Sequence, residues 1–362
     1  MRIGFSLNKI VIQPTSLCNL NCSYCYLQNR HNNFKMLPDT TTHLAESLAK
    51  YDKAVTIIWH GGEPLSCGLK SFSELVQPLI YLEECGKIRH AIQTNATLLN
   101  ESWCDFFISH QFKVGISIDG PEWANFNRVD WSDKGAFSKT LKGIAYLKNA
   151  AIDFHIIAVI GNQSLNRAKE LYEFFCELGC TSVGINIEER EGANQSREVC
   201  DDSRVTCFWQ DLFEAWQAKP MIRIREFDYV ISWMNAVCSD QIESKSFARN
   251  LDIFPTIGWN GDVVVLSPEL LGAKCLYYDN FTIGNINKEP LDRIISRAQS
   301  AKYVSDFLNG VRSCKELCPY FSFCGGGQAS NKYYELGLTS GTETSYCRNS
   351  KIRLVDAVLN NL

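Results

Sequence analysis

Three cysteines stand close together near the amino terminus, in Cys18-Asn-Leu-Asn-Cys22-Ser-Tyr-Cys25. Their Cys-x3-Cys-x2-Cys spacing suits three corners of a cubane [4Fe–4S] cluster, which takes four thiolates when closed. One iron is then left without a protein ligand. An open iron on a reducing cluster can bind a small molecule and pass it an electron. Zinc is the competing chemistry: a closed tetrahedral site needs a fourth ligand, for which His31 is available. A second group lies far along the chain, Cys314-x3-Cys318-x5-Cys324 with Cys347 beyond it. Four thiolates close either one [4Fe–4S] cluster or one structural zinc site. A closed cluster relays electrons more naturally than it binds substrate.

These residues need elements to position them. Lys9 to Thr15, Val55 to Trp59, His90 to Thr94, Val114 to Ile118, Phe154 to Ile160 and Ser182 to Ile187 read as strands. Each is followed by a run with helical spacing: Asp39 to Tyr51, Ser71 to Cys85, Glu101 to Ser109, Lys139 to Ala150, Asn166 to Leu178 and Val205 to Ala218. Asp39 can cap the first helix, and Pro78 should kink or divide the second. Six strand–helix pairs in succession predict an α/β fold with a parallel sheet and helices outside. The polar and glycine-rich stretches fall at the ends of strands one to four. In barrel folds the carboxyl ends of the strands form the active face. After about residue 226 the pattern changes, and Ile257 to Leu266 reads as a hairpin turning at Asn260-Gly261.

Composition bounds the rest. The 362 residues are 45% hydrophobic and 21% charged, with a net charge of −4, enough for a large core. No block of like charge argues for nucleic acid or an anionic membrane. No long apolar run near Met1 argues for a signal peptide or a membrane span. Sixteen cysteines without a signal sequence fit a reducing, cytoplasmic compartment. Most of the nine outside the two groups read as small core residues.

Gly61-Gly62-Glu63-Pro64 follows the second strand, and Tyr24 precedes Cys25. With these, the first cysteine motif resembles that of the radical S-adenosylmethionine enzymes. The resemblance implies a partial (β/α)6 TIM-like barrel over residues 8–225. It also implies cleavage of S-adenosylmethionine at the open iron, giving a 5′-deoxyadenosyl radical. Gly61, Gly62 and Glu63 would then line the pocket for the methionyl amino group; alone, they would be a turn. Asn95, Ser117 and Asp119 match positions that hold the ribose or methionyl groups in relatives. Arg128, followed by Gly135 and Phe137, matches an arginine that meets the methionyl carboxylate. Each of these four also reads plausibly as a loop or cap residue.

The region 226–362, with Cys314, Cys318, Cys324 and Cys347, resembles the small α+β SPASM module, which holds auxiliary Fe–S clusters in peptide-modifying members. This chain departs from the full pattern. Gln328 and Leu266 stand where further cysteines are expected, and none lies just ahead of the hairpin. One auxiliary [4Fe–4S] cluster is therefore expected, with Cys275 a stray thiol. In place of the missing cysteines stands Leu266-Ser267-Pro268-Glu269-Leu270, similar to runs in maturases of glycine-rich-repeat precursors, cyclophane formers among them. The resemblance implies a ribosomally made precursor peptide as substrate and a flavodoxin or ferredoxin as electron donor. In a cyclophane former a Cβ radical attacks an aromatic ring, and Glu269 is the expected proton acceptor; its alternative is a solvated loop residue. Thioether formation, formylglycine formation and a non-catalytic metal-binding or sensing protein are the other readings. The barrel begins within about ten residues of Met1, which predicts leader recognition by the barrel, the region between the domains, or a separate protein.

Overall fold

The computed structural model describes residues 4, 6–195, 198, 200, 203–239 and 253–361. Ten strands form one sheet: β1 Lys9–Ile12, β2 Val55–Trp59, β3 Ile88–Thr94, β4 Lys113–Ser117, β5 Phe154–Ile160, β6 Ser182–Ile187, β7 Arg223–Ile224, β8 Thr256–Ile257, β9 Asp262–Val264 and β10 Gly284–Asn285. Their order across the sheet is β10-β9-β8-β1-β2-β3-β4-β5-β6-β7. From β1 to β7 neighbouring strands are parallel, so their carboxyl ends share one edge. The strands are rich in isoleucine and valine. One face is packed under the helices, where Ile10, Ile12, Ile57, Trp59, Ile116, Ile156 and Ala158 are buried; the opposite face carries Gln93, Ser117, Ile157 and Val159, which border a cavity.

The six expected strand–helix units are present. Pro78 divides the second helix as expected, into Leu69–Val76, a tight turn at Gln77–Leu79, and Ile80–Glu84. Gly179 closes the Ala168–Leu178 helix in the left-handed conformation, which costs glycine little. The first helix differs. It runs Pro38–Leu48, with Leu37 at the cap position and no side-chain cap bond. Asp39 lies in the first turn instead, where its charge suits the helix dipole. Proline at the first helical position sets the start, because its missing N–H has no helical partner to lose.

A seventh strand, β7, follows Pro220 and was not read from the sequence; two residues show no periodicity. The hairpin at Asn260-Gly261 forms as expected, with β8 and β9 antiparallel. It also joins the barrel's own sheet, because β8 pairs in parallel with β1. The chain beyond β10 is helical, chiefly Leu291–Ser296, Lys302–Leu317, Ala329–Leu336 and Arg353–Leu359. Among the described residues no helix is long and apolar enough to cross a membrane.

Candidate active site

The cysteine loop leaves β1 and is held on two sides by backbone bonds. Cys18 N–H donates to Arg30 (2.8 Å), Asn21 N–H to Val129 (2.7 Å) and Ser23 N–H to Asn127 (3.0 Å). Burial pushes all three thiols, Cys18, Cys22 and Cys25, above the ordinary range. Glu63 and then the other two thiols add to this at Cys18, whereas Arg128 and Arg30 act against it at Cys22 and Cys25. Such thiols form thiolates only beside strong positive charge, which a metal centre supplies on coordination. The donor set therefore fits an iron cluster.

Gly61-Gly62-Glu63-Pro64 leaves β2 and presses on this loop. Gly62 has φ +61°, and a Cβ there would meet Leu17 O at 2.6 Å and Thr15 O at 2.7 Å. Only glycine allows that approach. Glu63 N–H then donates to Leu17 O at 2.8 Å. The Glu63 carboxylate accepts from Leu65 N–H (3.0 Å), Thr94 Oγ1 (2.6 Å) and Asn95 N–H (2.8 Å). Protein donors thus occupy much of its capacity, and Glu63 locks the exits of β2 and β3 together. Asn95 donates to Asn19 of the cysteine loop at 2.9 Å. Ser117 accepts from Gln93 Nε2 at 2.9 Å.

Arg128 is buried beside these groups. Its Nη1 donates to Tyr24 Oη at 2.5 Å and lies 3.7 Å from Asp119 Oδ1. Tyr24 Oη donates to Asp119 Oδ2 at 2.6 Å, and Val159 N–H to Oδ1 at 3.0 Å. Burial alone lowers the guanidinium's pKa, but Tyr24, Cys22 and Asp119 hold it charged. Arg128 Nε is buried with no partner. An orphaned cationic donor of this kind suits a carboxylate.

Cys18, Cys22, Cys25, Glu63, Asn95, Ser117 and Arg128 border one cavity of about 1000 Å³, with Gly62 beside them. Two expected residues lie outside its wall. Asp119 sits behind Tyr24 and Arg128, and Gly61 packs on Gln13.

The far wall is acidic. Glu189 and Glu191 follow β6, and Glu269 comes from the turn after β9. All three meet cavity space yet lie deep in the molecule. Burial pushes Glu269 to about 7 and, with Glu269 and Glu335 nearby, Glu189 to about 8. Glu191 is raised well above its ordinary value by burial and by these two carboxylates. Asn331 Nδ2 donates to Glu189 and to Glu191. Tyr334 Oη donates to the Glu269 carbonyl at 3.0 Å. Sequence reasoning found Glu269 but missed Glu189 and Glu191; their place at the end of a barrel strand was the available signal. It also missed Tyr26, whose hydroxyl bonds His60 Nε2 at 3.0 Å. Burial lowers His60 to about 4, so its ring is neutral.

The second cysteine group converges as expected. Cys314, Cys318, Cys324 and Cys347 border a smaller cavity of about 330 Å³, and Cys324 borders the large one too. Thr344 Oγ1 caps the turn that presents Cys347, accepting its N–H at 3.1 Å. The Cys347 thiol lowers Cys324 to about 6, helped by Lys351 and by the N–H groups of Gly326 and Gly327. Both glycines have positive φ, which turns those N–H groups toward the sulfur. Cys275 borders neither cavity. Among the described residues no three such side chains gather tightly enough for a single metal ion; the thiols are instead set around larger spaces.

A parallel barrel sheet with an open three-thiol loop at its carboxyl edge defines the class. Residues 12–175 match the model of the radical SAM superfamily, and the chain belongs to that superfamily. It is an enzyme, and the cofactors of this superfamily are S-adenosylmethionine and a [4Fe–4S] cluster. It is 31% identical to the uncharacterized protein sll1766 of Synechocystis sp., over 98% of this chain and 92% of the relative. It is 26% identical to the cysteine-type anaerobic sulfatase-maturating enzyme of Clostridium perfringens (strain 13 / Type A), over 88% of each. Among solved structures it matches anSMEcpe with bound AdoMet at TM-score 0.78 and 21% identity, covering 98% of both chains. It also matches Streptococcus suis SuiB bound to precursor peptide SuiA at TM-score 0.68 and 18% identity, covering 95% of this chain and 76% of SuiB.

Proposed function

We propose that this enzyme is a maturase of a ribosomally made precursor peptide, joining an aromatic ring to the Cβ of another side chain in cyclophane fashion. The observation that carries the reading is the large cavity: Cys18, Cys22 and Cys25 border it together with Glu269 and Cys324. A peptide side chain held there reaches radical source, proton acceptor and electron exit without leaving the cavity. Residues 8–225 would form the barrel and 226–362 the SPASM-like part.

Cys18, Cys22 and Cys25 would hold the open cluster. Gly61, Gly62, Glu63, Asn95 and Ser117 would shape the pocket for S-adenosylmethionine, and the orphan Nε of Arg128 would take its carboxylate. Asp119 and Tyr24 would keep that guanidinium charged and aimed. When bound, these groups supply a carbon radical able to remove a hydrogen atom from a side-chain carbon. After the new bond forms, the ring regains aromaticity by losing one proton and one electron. Glu269, with its pKa raised to about 7, is matched to accept that proton near neutral pH. Cys314, Cys318, Cys324 and Cys347 would hold the auxiliary cluster, and Cys324, which borders both cavities, would give the electron its exit. A flavodoxin or ferredoxin would donate the first electron.

Coexpression with a candidate precursor peptide tests this. Mass spectrometry should find the loss of two hydrogens, with fragments between two joined residues missing. An unmodified peptide from active enzyme would refute the reading for that peptide. A second reading, oxidation of a sulfatase serine or cysteine to formylglycine, is favoured by the sulfatase-maturating relatives. Against it stand Gln328 and Leu266, where cysteines for another cluster would be expected. An aldehyde-reactive product would decide for this second reading.

A further inference from the structure

Lys332 is fully buried in the Ala329–Leu336 helix, at 0% exposure. Its Nζ lies 3.9 Å from Cys314 Sγ and 5.2 Å above the Phe307 ring centre. Among the described residues no carboxylate pairs with it. Buried lysines almost always have an anionic partner; burial pulls the Lys332 pKa down, and Cys314, Cys347 and Cys324 act against that by favouring the ammonium. Gly327, at φ +79°, lies beside both groups: a Cβ there would be in ordinary contact with Cys347 Sγ (3.5 Å) and Lys332 Cε (3.6 Å). The amino-terminal site differs in its charge. Its cations Arg30 and Arg128 act on Cys22 and Cys25, but they are shared with Asn21, Tyr24 and Asp119. It also has the buried carboxylates Glu63 and Asp119 close by.

We propose that Lys332 makes the auxiliary site the electron acceptor of the pair, its buried ammonium stabilising the one-electron-reduced centre over the oxidised one. This rests on the auxiliary cluster of the proposed function. The electron comes from the crosslinked substrate radical, which is oxidised as the auxiliary centre is reduced. It then leaves to a flavodoxin- or ferredoxin-class protein. Lys332 is a positioning residue, acting through the thiolate-bound centre and touching no substrate.

The test uses full-length protein with Cys18, Cys22 and Cys25 all changed to alanine, so that only the auxiliary cluster titrates. About four irons per chain should remain; none would refute the auxiliary cluster itself, whatever Lys332 does. In this background K332M and K332Q remove the charge and K332R keeps it. An EPR-monitored redox titration should find the neutral variants reduced at least tenfold less readily, ~59 mV lower for one electron, with K332R close to the parent. If both neutral variants lose their iron while K332R keeps it, the cluster needs the charge to assemble, which supports the placement. Unchanged potentials in iron-loaded neutral variants would overturn the inference. So would loss of iron in all three variants, which would mean that Lys332 acts through packing.

Discussion

Replacing Arg128 with methionine removes a buried cation but leaves Asp119 in place. The two are 3.7 Å apart. At an effective dielectric of about 20, that pair is worth about 4.5 kcal/mol of Coulomb attraction. Breaking a buried pair from one side costs about 3–5 kcal/mol, because the remaining charge stays buried and unpaired. Unfolding entropy near 2.1 cal/mol/K per residue gives roughly 0.76 kcal/mol/K for a chain of this length, so the melting temperature should fall by about 4–7 °C. Differential scanning calorimetry on anaerobic protein at pH 8 reads this directly. The loss should also depend on pH. In R128M the folded pKa of Asp119 rises further above its unfolded value. Folding is then unimpaired by this group below the unfolded pKa, and it loses stability as pH rises through the folded one. The deficit against wild type should therefore narrow between pH 8 and pH 5. R128M/D119N removes both charges and should recover much of the loss, giving a coupling energy of a few kcal/mol. S-adenosylmethionine affinity should fall about 10- to 150-fold in R128M, the range of about 1.5–3 kcal/mol for a charged hydrogen bond. A melting temperature within 1 °C of wild type, or a deficit that does not change with pH, would refute the account of Arg128 as Asp119's counter-charge.

Glu269→Gln should slow crosslinking by about 10²- to 10⁴-fold while cofactor cleavage to 5′-deoxyadenosine continues. The wild-type rate should rise through an inflection near pH 7 that the variant lacks; full crosslinking by E269Q removes Glu269 from the mechanism. Glu189 and Glu269 have folded pKa values raised above the unfolded carboxylate value by burial. Their stabilising contribution is complete below about pH 4.5 and is lost as pH rises through 7 to 8. E189Q and E269Q should each flatten that decline in a chemical-denaturation series. Gly62→Ala forces a Cβ into Leu17 O and Thr15 O, so reconstituted protein should hold about four irons where wild type holds about eight. Cys347→Ser should also leave about four, but with cofactor cleavage intact.

Much of the barrel was legible because its strands are continuous apolar runs separated by amphipathic helices. That pattern comes from the solvent exposure of each element and needs no knowledge of neighbours. The cluster cysteines were legible because ligand spacing is local. Pairing between distant segments left no such trace: nothing in Thr256-Ile257 says that it lies beside Val11-Ile12. Roles that depend on packing were also hidden. Ser117 and Asp119 are two residues apart at the exit of β4, yet Ser117 borders the cavity and Asp119 lies behind Arg128. Nothing in the local sequence marks Lys332; only the fold buries it against thiols. Glu189 and Glu191 could have been found by applying to β6 the end-of-strand rule applied to the first four strands.

The carboxy-terminal part is fastened to the barrel at both ends of its path, and this bears on how the two thiol groups can work together. At its start, β8 pairs with β1, and Gln13 N–H donates to Ile257 O at 2.9 Å, five residues before Cys18. At its end, Trp209 Nε1 donates to Asn349 O at 2.8 Å and Asn349 Nδ2 to Cys200 O at 2.7 Å. Asn349 lies two residues beyond Cys347, and the Arg353–Leu359 helix packs on the Ser203–Ala218 helix. Each thiol group is thereby tied to the same ten-stranded sheet. Changing the spacing between the groups would mean breaking sheet pairing or unpacking a buried tryptophan. The acidic wall at Glu189 and Glu191 is braced differently, by Asn331 from a helix of the carboxy-terminal part. Its charge follows the protonation of Glu189 and Glu191, whose pKa values burial holds above the ordinary carboxylate range.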